Sequence, residues 1–167
     1  MRDAYVVEPL VGGDGSGPTP DYFEPVAAWA VWRLGRRGPL RGVYDGAPWP
    51  VGDVCEDAVA LRLEEVEWNQ HSTAIGRVLL WGSVVETDVG WRATRAYPQR
   101  IFVPAVTRHE LRRAERLARR LAGYGVPVRR LEVPSHADLV AVLQHAFPNE
   151  SLFRPISAQP GRRSART

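Results

Sequence analysis

Alternating apolar and polar positions give this chain a strand-rich first part, and helical periodicity appears only in its last third. The run Tyr-Phe-Glu-Pro-Val-Ala-Ala-Trp-Ala-Val-Trp-Arg over Tyr22 to Arg33 is aromatic and β-branched, which predicts a strand ending at Gly35. A turn from Gly35 to Pro39 and a short strand from Leu40 to Tyr44 follow, then irregular chain around Asp45-Gly46 and Trp49-Pro50-Val51-Gly52. The strongest β signal is the block from residue 76 to 103. Gly76 to Glu86 and Trp91 to Tyr97 flank the breaker Thr87-Asp88-Val89-Gly90, which predicts a hairpin. Gly82 offers no side chain to the first strand and points to a bulge or a close aromatic neighbour. Pro98 removes a ladder donor, so the second strand must end, bulge or run along an edge there, before Ile101-Phe102-Val103 resumes and Pro104 terminates it.

Thr107-Arg-His-Glu110 has the spacing of a capping box and predicts a helix to about Ala122. At 3.6 residues per turn, Leu111, Ala114, Leu117, Ala118, Leu121 and Ala122 form a packing face, and Arg112, Arg113, Arg116, Arg119 and Arg120 form a cationic stripe opposite. Gly123 and Gly125 stop this helix, Val126 to Val133 reads as a strand, and Ser135 to Asp138 caps a last helix. That helix buries Leu139, Val142, Leu143, Ala146 and Phe147 and ends at Pro148. Residues 54 to 68 carry two signals. Asp53-Val-Cys-Glu56 has helix-start spacing, which predicts a helix from Val54 to Trp68. Val59, Leu61 and Leu63 nevertheless alternate as in a strand, and Glu64, Glu65 and Glu67 would oppose the dipole at a helix end. The whole predicts an α+β fold. It is a small twisted antiparallel sheet or partly open barrel with two or three packed helices, ending β-α-β-α.

Residues 11 to 20 are crowded with Gly and Pro and read as linker, so the expected organisation is an arm (1–21), one domain (22–148) and an Arg-rich tail (149–167) without ordered structure. The glycines at 13, 15 and 17 lack a preceding strand and a closing Lys-Ser/Thr, so they do not make a phosphate loop. Composition agrees with an ordinary globular domain, at 44% hydrophobic and 25% charged residues. No apolar run is long enough to span a membrane, and one cysteine, Cys55, excludes an internal disulfide and suits a reducing compartment, so a cytoplasmic protein without membrane association is expected.

All 22 cationic residues are arginine, which codon bias can produce and which makes the pI of about 9.5 weak by itself. Distribution says more. Residues 1–75 hold 6 Arg against 12 acids, a net −6, and residues 76–167 hold 16 Arg against 7 acids, a net +9. Such segregation serves either a polyanion surface or an attraction between the two halves of one fold.

Chemistry is sparse. His109-Glu110 lacks the second histidine of a metalloprotease motif, and His71, His136 and His145 stand apart, so no metal, cofactor or catalytic residue is assigned. Cys55 becomes a candidate nucleophile only if a helix start and a histidine approach it; an inert packed thiol is the expectation. Six tryptophans exceed the needs of a core. Trp81 and Trp91 can pair across the hairpin, and Trp29, Trp32, Trp49 and Trp68 can complete a core or line a pocket; core is the expectation, and an aromatic groove of Trp81, Trp91 and Tyr97 is the alternative.

The block Gly76-x-Val78-x-x-Trp81-Gly82-x-Val84-Val85-Glu86-x-x-x-Gly90-Trp91-Arg92-Ala93-x-x-Ala96-Tyr97-Pro98 resembles one in uncharacterised small proteins of high-GC bacteria and their phages. The resemblance implies a shared fold and no activity. A Cys-x-Cys-Gly segment upstream in those proteins has only Cys55 to correspond to it here, so no metal role carries over. The function expected from the residues is a non-catalytic binding or accessory protein acting through a macromolecular partner, with a protein partner foremost. A nucleic-acid-binding regulator using the Arg112 to Arg120 face is the alternative, and a small enzyme with an aromatic-lined pocket is the third reading.

Overall fold

A computed structural model describes residues 6–7 and 25–147. Its eight strands are β1 (Val6–Val7), β2 (Val26–Leu34), β3 (Leu40–Gly42), β4 (Pro48–Trp49), β5 (Cys55–Leu61), β6 (Ala74–Glu86), β7 (Gly90–Ala105) and β8 (Val128–Glu132). The helices are α1 (Arg108–Leu121) and α2 (Leu139–Ala146). The fold is α+β, and the chain ends β7-α1-β8-α2 as the sequence predicts. Every strand pairing is antiparallel except that of β7 with β8, which α1 connects as a βαβ unit. No helix among the described residues is long and apolar enough to cross a membrane. Within the expected arm, Val6–Val7 pairs with Val85 and Val84; the rest of that arm and the expected tail lie outside the described residues.

The β6–β7 hairpin is the frame. One edge of β6 carries β2 along Ala74–Leu80 and β1 along Val84–Val85, and the outer edge of β7 carries β5 along Gly90–Ala96 and β8 along Ile101–Ala105. β5 then meets β2 at Trp29–Leu61, so β2, β6, β7 and β5 return on themselves as a partly closed barrel. Four strands leave a narrow interior. Alanines fill much of it: Ala28, Ala30, Ala58, Ala60, Ala74, Ala93 and Ala96 are all buried.

Both expected irregularities are bulges. Register slips between Trp81 and Val84, where Gly82 has φ +80° and Ser83 N–H donates to Thr94 Oγ1 at 3.0 Å. It slips again between Arg77 and Val78, opposite Pro98 and Arg100. Gln99 is thereby left over beside the proline that cannot donate. Pro104 does not end β7, contrary to expectation, because it pairs opposite Leu131 on the edge that β8 covers.

Two apolar clusters lie on the two faces of the sheet. The first gathers Trp32, Leu40, Trp49, Val78, Leu80 and Ile101 with Ala114 and Leu121 of α1; the second gathers Trp29, Val31, Ile75 and Phe102 with Leu139 and Leu143 of α2. Of the predicted packing faces, Ala122 and Ala146 prove exposed. Tyr124, in the turn after α1, is a polar anchor inside the first cluster. Its hydroxyl accepts from Leu40 N–H at 2.8 Å and donates to the Trp49 carbonyl at 2.6 Å, satisfying the β3–β4 segment with one side chain.

The segment expected to be helix, 54–68, is instead β5 followed by a 3-10 turn at Leu63–Glu65. The alternation of Val59, Leu61 and Leu63 wins because the edge of β7 between Gly90 and Ala96 supplies a ladder partner. Asp53 Oδ1 accepts from the next amide, Val54 N–H, at 2.7 Å, which closes a local turn and starts no helix. The last helix also begins otherwise than expected. Ser135 Oγ donates to Asp138 Oδ2 at 2.7 Å and caps no amide, and a 3-10 turn at His136–Asp138 leads into α2.

Candidate binding face and cleft

α1 starts as its sequence dictates. Thr107 Oγ1 accepts from Glu110 N–H at 3.2 Å, and Glu110 Oε2 accepts from Thr107 N–H at 3.1 Å and Val106 N–H at 2.6 Å. Side chains of this capping box therefore occupy the Glu110 amide and the two amides that lead into the helix. These backbone donors hold the Glu110 carboxyl below its ordinary value of 4.5, with His136 and Arg113 adding in the same sense. A depressed carboxyl contributes stability that is present above the unfolded pKa and lost as pH falls through the folded one. Glu110→Gln is therefore expected to lower the thermal midpoint by a few degrees at pH 6, with the deficit shrinking below pH 4.5. Melting curves of both proteins across pH 3 to 7 check this, and a constant deficit would contradict it.

Arg112, Arg113, Arg116, Arg119 and Arg120 are all exposed, as the helical period requires. None of them forms an ion pair with an acid of the N-terminal half among the described residues. Arg120 instead reaches the β2–β3 turn, donating from Nη1 to the Gly35 carbonyl at 2.8 Å and from Nη2 to that of Gly38 at 3.3 Å. The hairpin it grips carries Arg33, Arg36, Arg37 and Arg41, all exposed. Arg33 and Arg41 stand directly opposite each other in the ladder, a like-charge pairing that costs a sheet up to about 1 kcal/mol. The acids of the neighbourhood are engaged elsewhere. Glu115 meets Arg130, Asp57 takes Arg92 bidentately at 2.9 Å, and Glu86 takes Arg62. None of these nine arginines of the stripe and hairpin is ion-paired among the described residues.

Two clefts flank this face. The smaller, about 330 Å³, lies in the hairpin between Arg33, Arg37 and Arg41. The larger, about 420 Å³, opens at the carboxyl ends of the parallel strands β7 and β8. Val103 and Pro104 form its floor, Glu110, Arg113, Ala114 and Leu117 of α1 one wall, and the loop Trp68-Asn69-Gln70 with Ser72 and Thr73 the other. His136, just past β8, closes it, with Nε2 3.8 Å from Glu110 Oε1 and its ring centroid 6.3 Å from that of Trp68. Thr73 joins the two clefts, since its Oγ1 accepts from Leu34 N–H at 3.3 Å.

Of the predicted sites, Arg113 alone lines the larger cleft. The aromatic set is dispersed. Trp81 stands opposite Arg95, Trp91 opposite Glu86 and Ala60, and Tyr97 opposite Leu79, so Trp81 and Trp91 do not pair. Trp91 is covered by Arg62, whose Cζ lies 5.1 Å from the ring centroid, and the Tyr97 hydroxyl donates to the Tyr124 carbonyl at 2.7 Å. None of the three lines either cleft. Trp29, Trp32 and Trp49 are core, and Trp68 is the tryptophan in a cleft. Sequence reasoning missed the loop at 68–73 and His136 as a unit. The available signal was four consecutive residues, Trp-Asn-Gln-His, that neither alternate nor carry an apolar period.

Cys55 is buried, and its thiol donates toward the Pro48 carbonyl at 3.5 Å. Burial, with Asp45, Asp57 and Glu56 adding, pushes the thiol up to about 12, so it stays protonated and is no nucleophile at neutral pH. No Ser, Thr or Cys side chain is hydrogen-bonded to a histidine among the described residues. Nor does any group of three His, Cys, Asp or Glu converge there as a metal site would require. What remains is a surface that can hold phosphates with guanidinium groups and present an aromatic ring and side-chain amides beside them. Comparison with protein-family models, curated proteins and solved structures finds no match for the chain.

Proposed function

We propose that this chain is a non-catalytic binding protein whose macromolecular partner is a nucleic acid, held on the combined face of α1 and the β2–β3 hairpin. The observation that carries it is the Arg120 bridge to Gly35 and Gly38, which makes one cationic surface out of two elements 85 residues apart in sequence. Nine arginines without an ion pair among the described residues repel one another, and an anionic partner offsets that repulsion. A protein partner, foremost on the sequence alone, would want a desolvated apolar centre in its footprint. Among the described residues the exposed large hydrophobics are Tyr44, Val51 and Val89, one each in three different loops.

Binding through phosphates predicts a steep salt dependence. Affinity for a labelled oligonucleotide is expected to fall on the order of 100-fold or more between 50 and 200 mM salt if six or more phosphates are neutralised. Replacing Arg112 and Arg116 together with Glu is expected to flatten that slope and weaken binding at every salt concentration. A titration by gel shift checks both, and the absence of any shift at the lowest salt overturns the reading.

A further inference from the structure

Resting on the nucleic-acid reading above, we propose that the larger cleft receives one unpaired base of a single strand, whose backbone crosses the arginine face. The place is the first argument. The cleft stands outside the carboxyl ends of two parallel strands joined by a helix, where side chains from separate loops converge on a common space. Its contents are the second. Sequence-tolerant binding of single strands combines a cationic track with aromatic rings on which bases stack, and α1 itself offers no Trp, Tyr or Phe. The loop before β6 supplies one. Trp68 is half-buried, its π face unclaimed by another aromatic apart from the tilted contact with His136, and it lies across the cleft from Arg113.

Polar groups suited to base edges stand beside it. Asn69 accepts through Oδ1 from His71 N–H at 2.8 Å and so keeps its side-chain NH₂ uncommitted among the described residues; Gln70 shares only a 3.4 Å contact with His71. A free inorganic anion suits the cleft poorly. Thr107 Oγ1 occupies the Glu110 amide, and the Glu110 carboxylate, itself a wall of the cleft, stands at this helix start. That carboxylate repels phosphate but accepts the amino or imino hydrogens that every unpaired base exposes. A duplex cannot enter, because its bases are stacked and paired; it meets the arginines alone.

Fluorescence anisotropy with the full chain tests this, using labelled oligonucleotides of about 12 nucleotides, within the usual range of single-strand site sizes. DNA and RNA single strands and the matching duplex are titrated against the wild type, Trp68→Ala, Trp68→Phe and Arg116→Ala/Arg119→Ala. The wild type is expected to bind single strands more tightly than duplex at equal salt. Trp68→Ala should weaken single-strand binding roughly 10-fold or more, with the duplex and the salt slope unchanged, while Trp68→Phe retains most of the affinity. The arginine pair should weaken both nucleic acids and lower the slope. If Trp68→Phe and Trp68→Ala bind single strands as the wild type does, or lose duplex equally, the base-binding cleft is overturned and the phosphate face stands. If no nucleic acid binds the wild type, the underlying reading falls and this one with it.

Discussion

Gly76→Val is expected to leave little cooperatively folded protein. Gly76 sits in β6 between Ala30 of β2 and Ile101 of β7, at the narrowest part of the barrel. A Cβ placed there would press on the Arg100 carbonyl oxygen and lie within 2.6 Å of the Trp32 ring. Neither neighbour can yield cheaply, since one is ladder backbone and the other an indole with no exposed surface. Overpacking of this kind costs about 3 kcal/mol or more, a large share of the roughly 5–15 kcal/mol that holds a domain together. The melting midpoint should fall by about 6–12 °C if the protein folds at all. Gly125→Ala is the control. Its φ is +68° but its surroundings are open, so only the left-handed backbone is penalised, by about 1–2 kcal/mol. Near-UV circular dichroism during heating measures both, and a valine variant melting with the wild type would refute the packing described.

What the sequence makes legible is what local chemistry decides. Gly82 marks a bulge or a close neighbour because it brings no side chain, and Pro98 interrupts the ladder because it has no N–H; both statements hold whatever the partner strands are. The Thr107–Glu110 cap and the two faces of α1 are equally local, set by a reach of three residues and a period of 3.6. Residues 54–61 show the limit. Asp53 and Glu56 have the spacing of a helix start, and only the vacant edge of β7, some 35 residues on, turns Cys55–Leu61 into a strand. Barrel closure is equally hidden. The many alanines in β2, β5, β6 and β7 read as weak strand formers until the closed circuit gives them a narrow interior to fill.

The binding face divides the same way. The arginine stripe is visible in the sequence, yet its meaning depends on what stands next to it, and charge counting leaves a polyanion surface and an attraction between the halves equally open. The turn from Gly35 to Gly38, within the acidic half, meets it through backbone carbonyls and brings four more arginines. In the sequence Trp68 is one of four tryptophans that can complete a core or line a pocket, and His136 and Glu110 stand as unrelated helix-start residues. They share a cleft because β7, α1 and β8 form one βαβ unit whose ends meet the loop before β6. No spacing within the sequence encodes that.

Trp32→Ala is expected to destabilise the chain by about 3–5 kcal/mol, as removal of a fully buried large aromatic does. Trp32 fills the space above Gly76 and meets the edge of Trp49, with ring centroids 5.3 Å apart and planes at 76°. Its indole Nε1, however, is buried without a hydrogen-bond partner among the described residues, and a stranded donor of that kind costs about 1–3 kcal/mol. Trp32→Phe removes the orphan donor along with part of the ring, so the two effects oppose, and its net cost should stay within about 1–2 kcal/mol. Urea unfolding of the three proteins separates the terms. Equal losses for Phe and Ala would mean that the N–H is satisfied in solution and that the apolar volume alone does not explain the site. The same ring couples to the residue beneath it. Gly76→Ala should be costly in the wild type and less so beside Trp32→Ala, because the indole that a Cβ would strike is gone while the Arg100 carbonyl remains. A coupling energy near zero in that double-mutant cycle would show that strand β7, rather than Trp32, is what requires glycine at position 76.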